Sequence, residues 1–263
     1  MKEFRHKKSL GQHFLKDQNI IRKIGEVANI SPNELVWEIG PGKGVLTQEL
    51  LNYTKRLRCF EIDHTLYPIL ENRFGSKIDL IKTDILKADW NEYFADEPIK
   101  IVANLPYQIT SPFLFRVAKN TQHFSSVIVM VQKEVAQRIA AKVGTKDYGI
   151  LTLKMQYYFN PKYEFTVKPN VFNPPPRVDS AVISLVPRLD RPYIEDEEYF
   201  WRVVEIALRN RRKMLRRNLR ELIGKEQVEK LTESCEIDLQ RRGETLTEAE
   251  FVSLYEQVYK IKL

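Results

Sequence analysis

Asn104-Leu105-Pro106-Tyr107 is the stretch of this 263-residue chain best suited to hold a reacting group. An amide oxygen, a proline-stiffened backbone with free carbonyls and a flat ring would together grip a planar heterocycle carrying an exocyclic amine. An apolar run, Ile99 to Ala103, precedes it and reads as a buried strand. Open α/β sheets bind their ligands beyond the carboxyl ends of such strands. A strand followed by a plain proline turn would give the same local pattern. The other strand ends must therefore decide the reading.

Three of them speak to one ligand. Leu35 to Ile39 reads as a strand running into Gly40-Pro41-Gly42-Lys43-Gly44, after which Val45, Leu46, Leu50 and Leu51 have helical spacing. Strand, glycine turn, helix opens a doubly wound sheet. A dinucleotide fingerprint would need glycine at the position of Val45, and no P-loop pattern occurs. A G-x-G-x-G turn instead lets backbone amides at Gly40 and Gly42 approach a small ligand. The second strand, Leu57 to Ile62, ends in Glu61-Ile62-Asp63, and Glu61 falls 21 residues after Gly40. Rossmann-like folds place a ribose-binding acid at about that distance; a helix-capping role suits Asp63 better. The third strand, Ile78 to Lys82, is followed by Asp84, which could accept from an adenine amine or simply close a turn.

The remaining elements form the frame. Asp17 reads as the N-cap of a helix with Ile20, Ile21, Ile24, Val27 and Ala28 on one face. Pro68 is tolerable only near the first turn of its helix. A fifth strand, Val127 to Val131, leads to a helix from Lys133 to Ala141. Residues 172–180, FNPPPRVDS, make a rigid loop that presents Phe172 either as a stacking ring or as a core aromatic, before a strand from Ala181 to Val186. From about Arg191 strand signals vanish. Trp201, Val204, Leu208, Leu215, Leu219 and Leu222 make one helical stripe through the run RNRRKMLRRNLR at 209–220. Helices are expected at Glu226 to Glu233 and, with Thr247 and Glu250 as a capping box, at Glu248 to Lys260. The expected architecture is α/β, a Rossmann-like sheet in residues 1–188, with a small all-α domain in residues 189–263.

The formal charge is +7, and its distribution says more than its size. Arg209, Arg211, Arg212, Lys213, Arg216 and Arg217 lie in a run without an acid, which suits phosphate contacts better than a solvated helix face; Lys2, Arg5, Lys7 and Lys8 form a second basic cluster. No apolar run is long enough to span a bilayer, and no apolar block follows the basic start. Two distant cysteines and four histidines give no metal-ligand spacing, so no metal is expected. A cytoplasmic, monomeric protein is the expectation.

Taken together, SLGQHFLKD at 9–17, EIGPGKGVLT at 38–47, EID at 61–63, NLPYQITSP at 104–112, QKEVAQR at 132–138, FNPPPRVDSAV at 172–182, RRKMLRRNL at 211–219 and ETLTEAEF at 244–251 resemble the small-subunit ribosomal RNA adenine dimethyltransferases, the KsgA/RsmA family with its Dim-type relatives. The resemblance runs from near the first residue to the last, and implies a class I methyltransferase fold. It implies S-adenosylmethionine as cofactor, held by His13, Leu15, Gly40, Gly42, Glu61, Asp84 and Asn104. Residue 13 departs from the pattern, since the family usually has Asn there. The resemblance further implies that Asn104 and the Leu105 carbonyl hold an adenine N6, that Tyr107 and Phe172 sandwich the base, and that the basic run holds RNA. The implied substrate is a pair of adjacent adenosines near the 3′ end of 16S rRNA, in the 30S subunit or its precursor. Two alternatives stand beside it: an Erm-type enzyme acting on 23S rRNA, against which the 172–182 and 211–219 stretches argue, and a non-catalytic ribosome-assembly factor, which would show an eroded cofactor constellation.

Overall fold

A computed structural model of the protein describes residues 11–262; the basic cluster at Lys2, Arg5, Lys7 and Lys8 lies outside the described residues. Strand β1 (Phe14–Leu15) precedes helix α1 (Gln18–Ala28). Asp17 caps that helix by accepting from the backbone N–H of Asn19 at 2.9 Å and of Ile20 at 3.1 Å, which satisfies two donors the helix itself cannot. Then β2 (Val36–Ile39), β3 (Leu57–Glu61), β4 (Asp79–Lys82), β5 (Ile99–Asn104) and β6 (Phe124–Gln132) are linked in turn through α2 (Val45–Leu50), α3 (Tyr67–Phe74), a turn with Trp90, and α4 (Thr110–Ala118). Pro68 is the second residue of α3, where its missing N–H costs nothing. After α5 (Lys133–Ile139) and α6 (Ile150–Tyr158) come β7 (Phe159–Val167), β8 (Phe172–Asn173) and β9 (Ser180–Pro187).

Seven strands form one sheet in the order β4-β3-β2-β5-β6-β9-β7. Neighbours from β4 to β6 are parallel, and β9 is antiparallel to both β6 and β7. Every residue of β2 and the first five of β5 are buried, which is why these segments are mostly apolar and do not alternate, with Glu38 and Lys100 as the charged exceptions. The chain lays strands outward from β2 to β4, then returns to start again at β5 on the other side. A crevice opens at such a reversal. Ile39 sits opposite Ala103 in the register, so Gly40 and Asn104 leave the sheet as neighbours. Separately, β1 and β8 make a two-stranded ribbon with Leu15 opposite Phe172.

Two compact units result. One holds the described residues up to Gln137 together with Tyr158–Pro187; the other holds Arg138–Tyr157 and the described residues from Arg188 onward. Residues 138–157 thus belong with the C-terminal helices, a correction to the expected first domain. In that second unit Tyr148 donates its hydroxyl to the Leu246 carbonyl at 3.0 Å and Gly144 N–H donates to the Glu244 carbonyl at 2.9 Å. The unit's main helices are α7 (Glu197–Arg209), α8 (Leu215–Ser234, bent at Gly224) and α9 (Glu248–Lys262). The capping box closes as its sequence requires: Glu250 N–H donates to Thr247 Oγ1 at 3.2 Å, and Thr247 N–H donates to Glu250 Oε2 at 2.8 Å. The expected unbroken stripe from Trp201 to Leu222 is interrupted between α7 and α8. Leu215 and Arg216 donate their N–H groups to the carbonyls of Arg241 and Leu239, at 2.8 and 3.0 Å, in place of α7. The buried Asn218 then ties back to the Ala207 carbonyl at 2.9 Å.

Candidate active site

The glycine turn after β2 is built on three left-handed residues, Gly40, Gly42 and Gly44, with φ of 68°, 61° and 76°. A side chain disfavours this region, so the G-x-G-x-G spacing is a backbone requirement. A Cβ at Gly42 would stand 2.8 Å from the Phe14 ring, and one at Gly44 2.3 Å from the Phe74 ring, whereas Gly40 has nothing within 4 Å of that position. Gly40 opens onto a cavity of about 270 Å³ at the crevice between β2 and β5. His13, Leu15, Gly40, Gly42, Glu61, Asp84, Asn104, Leu105 and Tyr107 all line it. Segments far apart in the chain therefore meet at one place, as the sequence reading expects of them.

Its charge is one-sided. Glu38, Glu61 and Asp84 line the cavity, and among the described residues no lysine or arginine does. Glu61 is 4% exposed, and accepts from the backbone N–H of Gly42 at 3.1 Å and of Asp63 at 2.8 Å. Burial raises its carboxyl above the usual range, against the pull of those N–H groups. A carboxylate has about four acceptor sites, so capacity remains for a ligand hydroxyl. Asp84 accepts from Leu86 N–H at 2.9 Å, so it closes a turn and lines the cavity at once. Glu38 was missed by the sequence reading. It is 1% exposed at the third position of β2, and burial pushes its carboxyl up to about 7. An acid inside an otherwise apolar strand, just ahead of the glycines, is the signal that could have found it. Phe14 and Gln108 also line the cavity without having been singled out.

Asn104 ends β5 with its amide orientation fixed. Its Nδ2 donates to the His13 carbonyl at 3.2 Å. A carbonyl only accepts, so the amide oxygen faces away and stays available. Tyr107 hydrogen-bonds through its hydroxyl to the buried Ser180 Oγ at 2.7 Å, which holds the ring at the cavity edge. The His13 ring stacks on Tyr107, with centroids 5.7 Å apart and planes 30° from parallel, and its Nδ1 donates to the Pro174 carbonyl at 2.8 Å. Phe172 does not join them. It is 2% exposed in the hydrophobic core with Leu15 and Val182, and it is not among the residues lining the cavity. This corrects its expected role as a stacking plate. Pairing of β8 with β1 turns the ring inward, where it gives up no face to a base.

The basic run divides by its partners. Arg209 pairs with Glu221 at 2.7 Å, and Arg211 donates to the carbonyls of Lys146 and Thr145 at 2.6 and 3.2 Å. Arg212, Lys213, Arg216 and Arg217 are exposed. Among the described residues there is no group of three or more His, Cys, Asp or Glu side chains that could hold a metal ion, and no helix is long and apolar enough to cross a membrane.

A parallel sheet extended by an antiparallel pair, with a glycine turn opening on a carboxylate-lined switch-point cavity, defines a class I methyltransferase dependent on S-adenosylmethionine. That cofactor carries a net positive charge, which fits a cavity lined by carboxylates and, among the described residues, by no lysine or arginine. Solved structures agree: a dimethyladenosine transferase from Plasmodium falciparum superposes with a TM-score of 0.79 at 25% identity, covering 95% of this chain and 99% of that one. The 23S rRNA methyltransferase ErmE superposes at 0.68 and 26% identity, over 94% and 99%. In sequence, the chain is 44% identical to a ribosomal RNA small subunit methyltransferase A from Geobacillus sp. (strain WCH70), over 95% of this chain and 91% of that protein. It is 42% identical to the same-named protein of Clostridium acetobutylicum, over 98% and 95%. The ribosomal RNA adenine dimethylase family model matches residues 3–260. The chain belongs to the ribosomal RNA adenine dimethylase family.

Proposed function

We propose that this protein transfers methyl groups to N6 of two adjacent adenosines near the 3′ end of 16S rRNA, in the 30S subunit or its precursor, giving N6,N6-dimethyladenosine. The observation that carries the reading is the Asn104 amide, locked by the His13 carbonyl so that its oxygen stays free beside the cavity. Bound S-adenosylmethionine supplies a methyl group on a positively charged sulfur. Gly40, Gly42, Glu61, Asp84, His13 and Leu15, which line the one cavity, would hold it.

The adenine amine is a poor nucleophile because its lone pair is conjugated into the ring. Asn104 Oδ1 and the Leu105 carbonyl each accept one N6 hydrogen, which draws the nitrogen towards tetrahedral and aims its lone pair. Positioning of this kind contributes several kcal/mol, and fixed dipoles at the developing charge contribute more. No strong base is required, since the alkylated ammonium loses its proton readily to water. Tyr107 stacks on the base; with His13 over one face of its ring, the base takes the other. One such stack offsets about 1–3 kcal/mol of the unstacking cost. Arg212, Lys213, Arg216 and Arg217 hold RNA phosphates, with Arg209 and Arg211 contributing less because each already has a protein partner. The protein acts as a cytoplasmic monomer without a metal.

Relatives at 42–44% identity carry the small-subunit name, against 26% for the large-subunit enzyme. The intact cavity speaks against a purely structural assembly factor. The test is mass spectrometry of ribosomal RNA after incubating unmethylated 30S particles with this protein and S-adenosylmethionine. Two dimethyladenosines in 16S rRNA are expected, and none from Asn104→Ala at unchanged RNA affinity. Methylation of 23S rRNA alone, or full turnover by Asn104→Ala, overturns the reading.

A further inference from the structure

Glu38 has no role in the reaction described so far, and its surroundings give it an unusual one. The carboxyl is 1% exposed yet lines the cavity. The Cys59 thiol, a weak donor, lies 3.5 Å from it. Among the described residues, no element around it offers a free cation. From β3 come Cys59, opposite Glu38 in the register, and beyond it the carboxylates of Glu61 and Asp63. From β5 comes the apolar Val102, and the nearby Lys100 spends its ammonium on the Ala28 and Asn29 carbonyls at 2.8 Å and on Glu34 at 3.0 Å. From α2 comes Thr47, whose neutral hydroxyl and backbone N–H oppose the effect of burial without outweighing it. Across the cavity stand His13, Asp84 and Tyr107. A carboxylate taken from water without a cation is strongly disfavoured, so such a group holds its proton to a higher pH than an exposed carboxyl and yields it more readily once a positive charge arrives.

Resting on the reading that this cavity holds S-adenosylmethionine, we propose that Glu38 is a charge-sensing specificity residue: it releases its proton when the cationic cofactor enters and holds it when the uncharged-sulfur product, S-adenosylhomocysteine, occupies the same cavity. Both ligands carry an α-ammonium and an α-carboxylate that cancel, and only the cofactor adds a sulfonium, so its net charge of one, against none for the product, is what distinguishes the two before the buried anion. The site would then favour fresh cofactor over spent product through a proton rather than a new contact. The raised Glu38 carboxyl, at about 7 from burial, puts the exchange near neutral pH.

The sign follows from linkage. Because binding expels a proton, cofactor affinity rises with pH up to the carboxyl's free-state value and levels off above it. With that value at about 7, the dissociation constant for S-adenosylmethionine falls by about tenfold between pH 6 and pH 8. That for S-adenosylhomocysteine stays within about twofold. Isothermal titration calorimetry at pH 7 in buffers of different ionisation enthalpy reads the proton directly. About half a proton released per S-adenosylmethionine is expected from a group half ionised at that pH, and markedly less per S-adenosylhomocysteine. Glu38→Gln should remove the release and flatten the pH dependence, with His13 unchanged in both proteins. The wild-type comparison of the two ligands stands even if the variant fails to fold. Binding of S-adenosylmethionine with no proton released, or equal release with both ligands, overturns the inference and leaves the cofactor assignment intact. No binding of either ligand overturns the cofactor assignment itself.

Discussion

Alanine substituted in turn at Gly40, Gly42 and Gly44 separates what the turn does for the fold from what it does for the ligand. All three have φ between 61° and 76°, so each alanine carries the left-handed penalty of about 1–2 kcal/mol. The surroundings then differ. At Gly44 the new methyl would stand 2.3 and 2.8 Å from two atoms of the Phe74 ring and 3.3 Å from Leu70. Phe74 is 4% exposed and Leu70 is fully buried, so neither has room to retreat. Overpacking of this kind costs about 1–3 kcal/mol, for a total near 2–5 kcal/mol with the backbone penalty. At a urea m-value of about 2–3 kcal/mol/M, the midpoint should fall by about 1–2 M. Gly40→Ala meets no atom within 4 Å, so only the backbone penalty applies and the midpoint should fall by about 0.3–1 M. Its methyl enters space the ligand needs, so affinity for S-adenosylmethionine should drop at least about tenfold, equivalent to ~1.4 kcal/mol. Gly42→Ala, which displaces the Phe14 ring at the cavity wall, should fall between the two on stability and also weaken binding. Urea unfolding followed by circular dichroism, paired with calorimetric titration of the cofactor, measures both axes. Equal midpoints for the Gly40 and Gly44 variants would refute the packing argument; undiminished affinity in the Gly40 variant would refute the placement of the ligand.

Neutralising Arg212, Lys213 and Arg216 together should weaken RNA binding and reduce its salt slope by nearly one for each RNA phosphate left without its cation; an unchanged slope moves the RNA surface elsewhere. Arg209→Ala should change that slope much less, because Glu221 already holds the guanidinium. Phe172→Ala should cost about 3–5 kcal/mol in urea unfolding, as for any buried aromatic removed from a core, and a loss below about 1 kcal/mol would mean the ring is not packed there. Glu250, held at about 2 chiefly by its hydrogen bond from Arg241, contributes stability that is fully present above the ordinary carboxylate range and is lost as pH falls from there towards 2. After discounting for its partial exposure, Glu250→Gln should cost about 1–2 kcal/mol at pH 7 and almost nothing at pH 2. Thermal melts at the two pH values test this, and equal losses at both would contradict it.

Much of this protein is written locally. Asp17, Gly44, Pro68 and the Thr247–Glu250 box mark element boundaries through backbone donors and dihedral limits that involve only near neighbours in the chain, so a single sequence is enough to read them. The acids and amide at successive strand ends were legible for a related reason: a parallel sheet carries all its carboxyl ends to one edge, and the cavity forms there. Other features depend on partners distant in sequence. Phe172 reads equally well as a stacking ring or a core residue until β8 pairs with β1 and turns it inward. The arginine run looks like one helix until Arg241 and Leu239 supply the carbonyls that start α8 afresh. Residues 138–157 look like part of the sheet domain, yet they pack with the C-terminal helices. Whether Glu38 is merely a strand residue or an isolated charge depends on which side chains surround it, and only the packing of β3, β5 and α2 decides that. Propensity and capping act over a few residues, whereas burial and charge pairing are set by whichever distant segments the fold brings together.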